Sequence, residues 1–537
     1  MNKVRKIMKF NAEAREELIA GISLLAKAVV TTMGPKGRNV GLGRKWNAPR
    51  VVHDGVSVAR EVESDNPFQQ MGIEMAREAA TKTNDVAGDG TTTSILLTEA
   101  VAVKGNELVK KGADPMTLQS GLLKATEIIT DELLKRSVPI SGSKNLAEVA
   151  TISAADPVVG NLLSDIFDKI GEKGTVYVEE GRNSRTEVEY KEGMEFDRGL
   201  SSAFFSTVDD KVESSLSNPY IFITNERIVS NSQVFPLLNC IKDAEKDNYF
   251  NVVIIADKIE YEALTTLYLN HNKGLIKVIP VEAPGFGDKR EELLEDIAVL
   301  VGGKVFSPKK GMTFENLDLT MFGRSDNVWS GKETTKIIGG SGDKDLVALR
   351  VRQLETLLKE EKSDYEKEKL EERIARLAGS VAIIKVGATT ETELSDRTER
   401  IKDAVSATKA ALAEGILPGG GVSLLKVRNI LNDYKFDEEE ELGKDLLFDV
   451  LSEPIKKLFE ISGVDEANIL EIEKSDLDYG YNISTKEFGS MTKMGVIDPT
   501  KVVRSGLQHA VSVAGTILTT EVLIAVEDVV SDSSKSE

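Results

Sequence analysis

The chain has 537 residues, with 68 Lys and Arg against 88 Asp and Glu and a formal net charge of −20. At roughly 150 residues per domain this length predicts three to four domains, and the acidic balance excludes nucleic acid and anionic membrane as main partners. The single cysteine, Cys240, has no internal bridge to form, and three histidines (His53, His271, His509) are poor material for a zinc site; a reducing, cytoplasmic setting is expected.

Near the start, Leu18, Ile22, Leu25 and Val29 are spaced as one face of an amphipathic helix, and Glu13, Arg15, Glu16, Glu17 and Lys27 break up what a signal peptide would need as an apolar core. Residues 12 to about 135 read as helices, interrupted by the Gly- and Pro-containing stretch 34–55 and by the loop 88–93. Short β-rich runs follow at 175–179 and 186–190, then strands at 220–224, 252–256, 276–281 and 304–306 with helix-length segments between them. That alternation predicts a parallel α/β core between about 190 and 380. At its end Val347, Val351, Leu354 and Leu358 form a helical stripe. Ser363 and Glu366 make a capping box opening a second helix with Leu370, Ile374 and Leu377 inward, so two antiparallel helices are expected. From about 388 to 530 the pattern is again helical, which predicts an α/β module inserted between two helical arms of one domain. The run 511–530 carries Glu521, Glu527 and threonines and is too polar to span a bilayer; the polar end, 531–537, is expected to be disordered.

The chain has no GxxxxGK[ST] loop, no GxGxxG, no HExxH and no GxSxG. It does have Gly88-Asp89-Gly90-Thr91-Thr92-Thr93 directly before the apolar Ile95, Leu96 and Leu97. Two glycines allow close backbone approach, free N–H groups at a helix start favour an anion, and the carboxylate between the glycines suits Mg²⁺ against phosphate oxygens. Taken alone, the string fits an ordinary Thr-capped helix after a Gly turn equally well. Thr32-Met33-Gly34-Pro35-Lys36-Gly37-Arg38-Asn39 is a second turn with cations, and Gly419-Gly420-Gly421 a third glycine cluster; singly they read as a solvated turn and a helix C-cap. Asp54 and Asp403 are further carboxylates able to orient water, although single aspartates are usually surface groups or caps.

The strings TMGPKGRN (32–39), DGVSVARE (54–61), NDVAGDGTTTS (84–94), FDRG (196–199), APGFGDKR (283–290), KLEERIARLAG (369–379), EGILPGGG (414–421), YGYN (479–482) and DPTKVVRS (498–505) resemble, in collinear order from about residue 3 to 528, those of the group I chaperonins, the GroEL family. The resemblance implies a multidomain α and α/β fold: a mostly helical equatorial ATP-binding domain (2–136 and 414–528), a small α/β intermediate hinge domain (137–191 and 381–413), an α/β apical domain (192–380) and a disordered tail (529–537). It implies ATP-dependent protein folding in a seven-membered ring, single or stacked in two, with a GroES-like co-chaperonin lid, Mg²⁺ and K⁺. In the nucleotide pocket the family pattern falls on Thr32, Gly34, Pro35, His53, Asp89, Gly90, Thr91, Thr92, Thr93, Gly420, Asn482, Ile483, Ser484 and Asp498. Asp89 matches the Mg²⁺ ligand, Asp403 the residue that positions the attacking water, and Asp54 its support. Positions for non-native protein fall on Leu200, Phe204, Phe205, Phe235, Leu238, Leu264, Tyr268 and Leu269, apolar residues whose plain alternative is an ordinary core.

The chain also departs from the family. His53 stands where lysine is usual, which removes a fixed cation beside the nucleotide; Ser380 stands where a hinge glycine is usual, although Gly379 adjoins it and Gly193 keeps the partner hinge; and SDSSKSE replaces the Gly-Gly-Met repeats. Lys456 and Asp465 align with the family's ring-to-ring charges, or are two solvated surface groups. Against the folding machine stands a passive holdase that keeps the apolar surface and has lost turnover. Asp89, Asp403 and Asp498 favour the machine, and no motif supports a metabolic enzyme.

Overall fold

Leu18, Ile22, Leu25 and Val29 are all fully buried along the Asn11–Val29 helix, as their spacing predicts. The computed structural model describes residues 6–43, 50–52, 54–140, 142–171, 174–181, 183–207, 212–243 and 250–526. Its contacts divide the chain into two units, one running to Asp165 and resuming at Val386, the other Ile166–Lys385. His53 and the tail beyond 526 lie outside the described residues.

The first unit is helical. Asn11–Val29, Pro67–Ala87, Thr91–Lys110, Pro115–Arg136, Glu441–Val450 and Thr500–Leu518 contribute to one apolar core in which Ile73, Ile95, Leu97, Leu118, Leu447 and Leu507 have no exposed surface. Residues from both arms of the chain fill this core, so the helices after 414 complete what the helices before 136 begin. Pro67 and Pro115 occupy first turns behind Asn66 and Asp114, whose side chains accept from Phe68 N and Thr117 N. Two features were not apparent in the sequence: a strand at Lys6–Phe10 that pairs antiparallel with Val522–Val526, and a hairpin of Val40–Leu42 with Arg50–Val52. No helix among the described residues is long and apolar enough to cross a membrane.

The second unit is built on a ten-stranded sheet in which the four strands expected to form a parallel core do so, and further strands extend it antiparallel. Lys277–Glu282, Asn251–Ala256, Tyr220–Thr224 and Val305–Phe306 run parallel, while Gly323–Ser330, Thr335–Gly340, Glu187–Phe196 and Ser380–Val386 continue the sheet antiparallel. Between strands that follow one another in the chain, the length of the connection decides the direction. The helices Asn231–Lys242 and Tyr261–Asn272 carry the chain back over the sheet between parallel strands, whereas Gly331 to Thr334 is a tight turn closed by a Gly331 N–H to Thr334 O bond of 2.9 Å.

The expected helix pair is observed at Lys344–Glu360 and Asp364–Ala378. Its capping box is half made: Ser363 Oγ accepts from Glu366 N, but Glu366 pairs with Lys289. The pair is fastened to the Gly287–Val301 helix by Asp296, a fully enclosed carboxylate shared between Arg350 (2.8 Å) and the buried Arg373 (2.8 Å). A buried charge flanked by two guanidinium groups orients the helices more than it strengthens them, since desolvation offsets most of the attraction.

Candidate functional site

The Thr91–Lys110 helix begins at Gly90, with no side-chain cap on its first turn. Its first internal bond is Ser94 N–H to Gly90 O (2.9 Å), so the N–H groups of Thr91, Thr92 and Thr93 emerge from the helix start toward whatever occupies the loop. The Thr-capped reading of this string is therefore not borne out. Gly88 (φ 71°) and Gly90 (φ 88°) are left-handed, and both are crowded. A Cβ on Gly88 would lie 2.0 Å from Ser406 Cβ, and one on Gly90 would lie 2.7 Å from Val502 Cγ1. Only glycine meets both demands, in a loop pressed between the Glu391–Glu414 and Thr500–Leu518 helices.

Other predicted residues gather around this turn. Asp54 caps the Gly55–Glu61 helix through Val56 N (3.0 Å) and Ser57 N (2.7 Å), and Gly55 comes so near Thr92 that a Cβ there would meet its Oγ1 at 2.3 Å. Thr32, buried in the Val30–Thr32 turn, donates to Val29 O (2.8 Å), and that turn packs on the Thr91–Lys110 helix. Gly34 lies beside Leu458, and Pro35 is exposed. In the second arm, Ile416–Pro418 pairs with Ile497–Pro499, which sets Asp498 opposite Leu417 and 3.0 Å from where a Cβ of Gly419 would sit. Met491 packs over both Gly420 and Gly480, so the Tyr479–Asn482 strand adjoins the glycine turn. Asn482 Oδ1 accepts from Ser484 N (2.9 Å) and Thr485 N (3.2 Å), Ile483 is buried in the large core, and Ser484 is exposed. Asp403 lies one turn before Ser406 on the helix that touches Gly88, and the same helix contacts the Arg50–Val52 strand ahead of Asp54.

The carboxylates interact. Asp89 accepts from Gly90 N (2.6 Å) and from Ser153 Oγ (3.0 Å), a partner 64 residues away that no motif announced. Enclosure pushes its carboxyl above the ordinary range and the nearby Asp54 adds to the effect, while the two hydrogen bonds oppose it. Asp498 is raised to about 7, first by enclosure and then by the charge of Asp89. Two enclosed acids repelling each other beside a helix N-terminus form a site that a cation and a phosphate would jointly neutralise. Among the described residues no three His, Cys, Asp or Glu side chains close on one point as a protein-only metal site. Mg²⁺ held by one or two carboxylates together with phosphate oxygens needs none, so the residues present fit Mg-ATP.

In the second unit, Phe204 (74% exposed), Phe235 (50%) and Leu269 (48%) project to solvent, and Leu238, Leu264 and Tyr268 are half-buried around them. Two expected rim residues belong to the core instead. Phe205 is wholly enclosed, edge-on to His271 (5.5 Å) and Tyr268 (6.1 Å), and Leu200 is bridged to Val281 at the sheet. The backbone alternates between them: Phe204 and Phe205 are adjacent in a short turn, so one faces out and the other in.

The model of the TCP-1/cpn60 chaperonin family matches residues 25–528. Two crystal forms of the chaperonin gp146 from bacteriophage EL 2 (Pseudomonas aeruginosa), solved in the presence of ATP-BeFx, are similar in fold. Form II has a TM-score of 0.73 at 23% identity and form I 0.64 at 24%, each match covering 97% of this chain and 99% of that one.

The carboxyl raised to about 7 at Asp498 has a signed consequence. Because the folded value lies above the unfolded carboxylate value of about 3.9, its contribution to stability is full below pH ~4 and is lost as pH rises through 7. Urea unfolding of the nucleotide-free protein should therefore show a fall in stability between pH 5 and 8 that Asp498→Asn flattens; an unchanged slope in that variant would assign the titration elsewhere.

Proposed function

The protein belongs to the TCP-1/cpn60 chaperonin family, and we propose that it is an ATP-driven folding chaperone whose Gly88–Thr93 turn holds the phosphates of Mg-ATP. The observation that carries this reading is the uncapped first turn of the Thr91–Lys110 helix beside the enclosed pair Asp89 and Asp498. When bound, Mg²⁺ neutralises phosphate charge. Asp89 would hold it, with Asp498 as the second carboxylate, while the N–H groups of Thr91 to Thr93 receive phosphate oxygens. In this reading Gly34 and Gly420 would also line the nucleotide's seat, and Asn482, whose Oδ1 is taken by Ser484 N and Thr485 N, would offer its Nδ2. The ATP-BeFx in the gp146 crystals supports a nucleotide here. K⁺ at the phosphates belongs to the same reading.

Asp403 is the residue for orienting and deprotonating water. Asp54 is less suited to that task, since both of its oxygens are engaged in capping; it supports Asp403 through charge. A water-positioning carboxylate carried on a different helix from the phosphate seat would make hydrolysis depend on how closely Ser406 and Gly88 pack.

Phe204, Phe235 and Leu269, with Leu238, Leu264 and Tyr268, are the proposed rim for unfolded chains and for a co-chaperonin lid. Apolar attraction is non-directional, so such a rim would be broad in its clients. Assembly into a ring of copies is supported by the Lys6–Phe10 and Val522–Val526 pair, whose Met8, Phe10, Ile524 and Val526 are exposed on a two-stranded sheet with open edges. At the proposed ring-to-ring contact, Lys456 pairs with Glu453 (3.2 Å) and Asp465 caps Ala467 N (2.9 Å), so both charges have local roles that do not require a second ring. The equatorial, intermediate and apical boundaries remain part of the proposal.

Two variants test it. Asp403→Ala should bind Mg-ATP at parental affinity in calorimetry while hydrolysis falls by two orders of magnitude or more, the scale expected when a positioned base is lost; normal turnover would remove Asp403 from the chemistry. Leu269→Ser should leave thermal stability and ATP turnover nearly unchanged while abolishing capture of a denatured reporter and its ATP-dependent refolding. Capture without any ATP-dependent refolding in the unsubstituted protein would favour the passive holdase.

A further inference from the structure

His509, on the Thr500–Leu518 helix, brings its Nδ1 to 3.0 Å from Thr83 Oγ1 on the Pro67–Ala87 helix. Thr83 is fully buried and donates its single hydroxyl proton to Ala79 O, one turn back, at 2.9 Å. Its oxygen is then an acceptor toward the ring, which assigns the proton to His509 Nδ1. Ser94 Oγ, also fully buried, stands 3.3 Å from the same oxygen, and Ser94 N–H closes the first turn of the Thr91–Lys110 helix on Gly90 O (2.9 Å).

On its other side Thr83 presents Cγ2 to Gly90, 3.4 Å from where a Cβ of that glycine would lie, with Val502 Cγ1 completing the floor. The rotamer of Thr83 therefore decides whether a methyl or a hydroxyl lies beneath the left-handed Gly90, and His509 acts with the bond to Ala79 O to hold the hydroxyl away from it. We propose that His509 is a positioning residue for nucleotide binding: by locking the Thr83 rotamer it fixes the height of Gly90 and so the aim of the Thr91 to Thr93 N–H groups. The inference rests on the reading of the Gly88–Thr93 turn as the phosphate seat.

The device is not a pH switch. A ring whose Nδ1 already carries a proton keeps that donor when Nε2 is also protonated, so the contact survives in both charge states. Burial, then Lys82 from the Pro67–Ala87 helix and Arg504 from the Thr500–Leu518 helix that carries His509 itself, push the His509 value down, and the Thr91–Lys110 helix contributes the uncharged Ser94.

The test is calorimetry of Mg-ATP binding to the full-length protein, with steady-state hydrolysis alongside. His509→Ala should weaken binding about tenfold, the lower range for loss of a residue that orients a ligand-holding group, and should raise KM with kcat retained. His509→Asn, whose Nδ2 reproduces the Nδ1 donor, should restore most of the affinity. Thr83→Val, whose stiff β-branched side chain keeps a methyl beneath Gly90 without help from the ring, should bind near parental affinity, and in the double variant it should remove the loss caused by His509→Ala. A double variant as weak as His509→Ala alone, a Thr83→Val variant as weak as His509→Ala, or an Asn variant as weak as Ala would each overturn the proposal. An unsubstituted protein that binds no Mg-ATP would overturn the phosphate-seat reading itself, which is a separate result.

Discussion

A helix that starts without a cap leaves polar N–H groups that must find partners, and in this chain the uncapped start of Thr91–Lys110 organises much of its surroundings. Ordinary sequences solve the problem with a Ser, Asp or Asn at the preceding position. Here that position is Gly90, and the nearest carboxylate, Asp89, turns aside to its own Gly90 N–H and to Ser153. The unsatisfied donors are kept available by a loop too crowded for any side chain to enter: Ser406 fills the space over Gly88, and Thr83 and Val502 the space under Gly90. Three helices are thus held at fixed distances from one turn.

The electrostatics follow from the same geometry. Asp89 and Asp498 come from opposite arms of the chain and meet beside the positive end of a helix dipole. Enclosure raises both carboxyls; the charge of Asp89 raises Asp498 further, and that of Asp54 raises Asp89. A binding site gains from this arrangement because a cation and an anion arriving together satisfy both the acids and the N–H groups, whereas neither alone does so fully. The apolar rim of the other unit works by different physics, in which Phe204, Phe235 and Leu269 stay in contact with water.

Much of this was legible in the sequence where local period or composition carries the information. The stripe at Leu18, Ile22, Leu25 and Val29 needs only a 3.6-residue period, and the strand at Tyr220–Thr224 only a run of apolar β-formers. The motif strings identified the family and the loop. What could not be read depends on which distant segments meet. The Lys6–Phe10 strand exists because the other end of the chain pairs with it, and the antiparallel half of the sheet brings together Glu187–Phe196, Thr335–Gly340 and Ser380–Val386 from far apart in the chain. Phe205 and Leu200 were placed on the rim because apolar residues at a motif position look alike whether they face in or out. Ser153 and His509 were invisible for the same reason: a serine 64 residues from Asp89 and a histidine 426 from Thr83 carry no spacing signal.

The central claim, that phosphate seats on the free N–H groups of the Thr91–Lys110 helix, is tested most directly by amide hydrogen exchange with and without Mg-ATP. The Thr91, Thr92 and Thr93 amides lack intrahelical acceptors and should exchange fast in the free protein. On adding Mg-ATP they should become protected, while amides deep in the same helix, such as Leu97 and Val101, change little. Protection elsewhere in the chain with these three amides unaltered would contradict the account and place the nucleotide at another site.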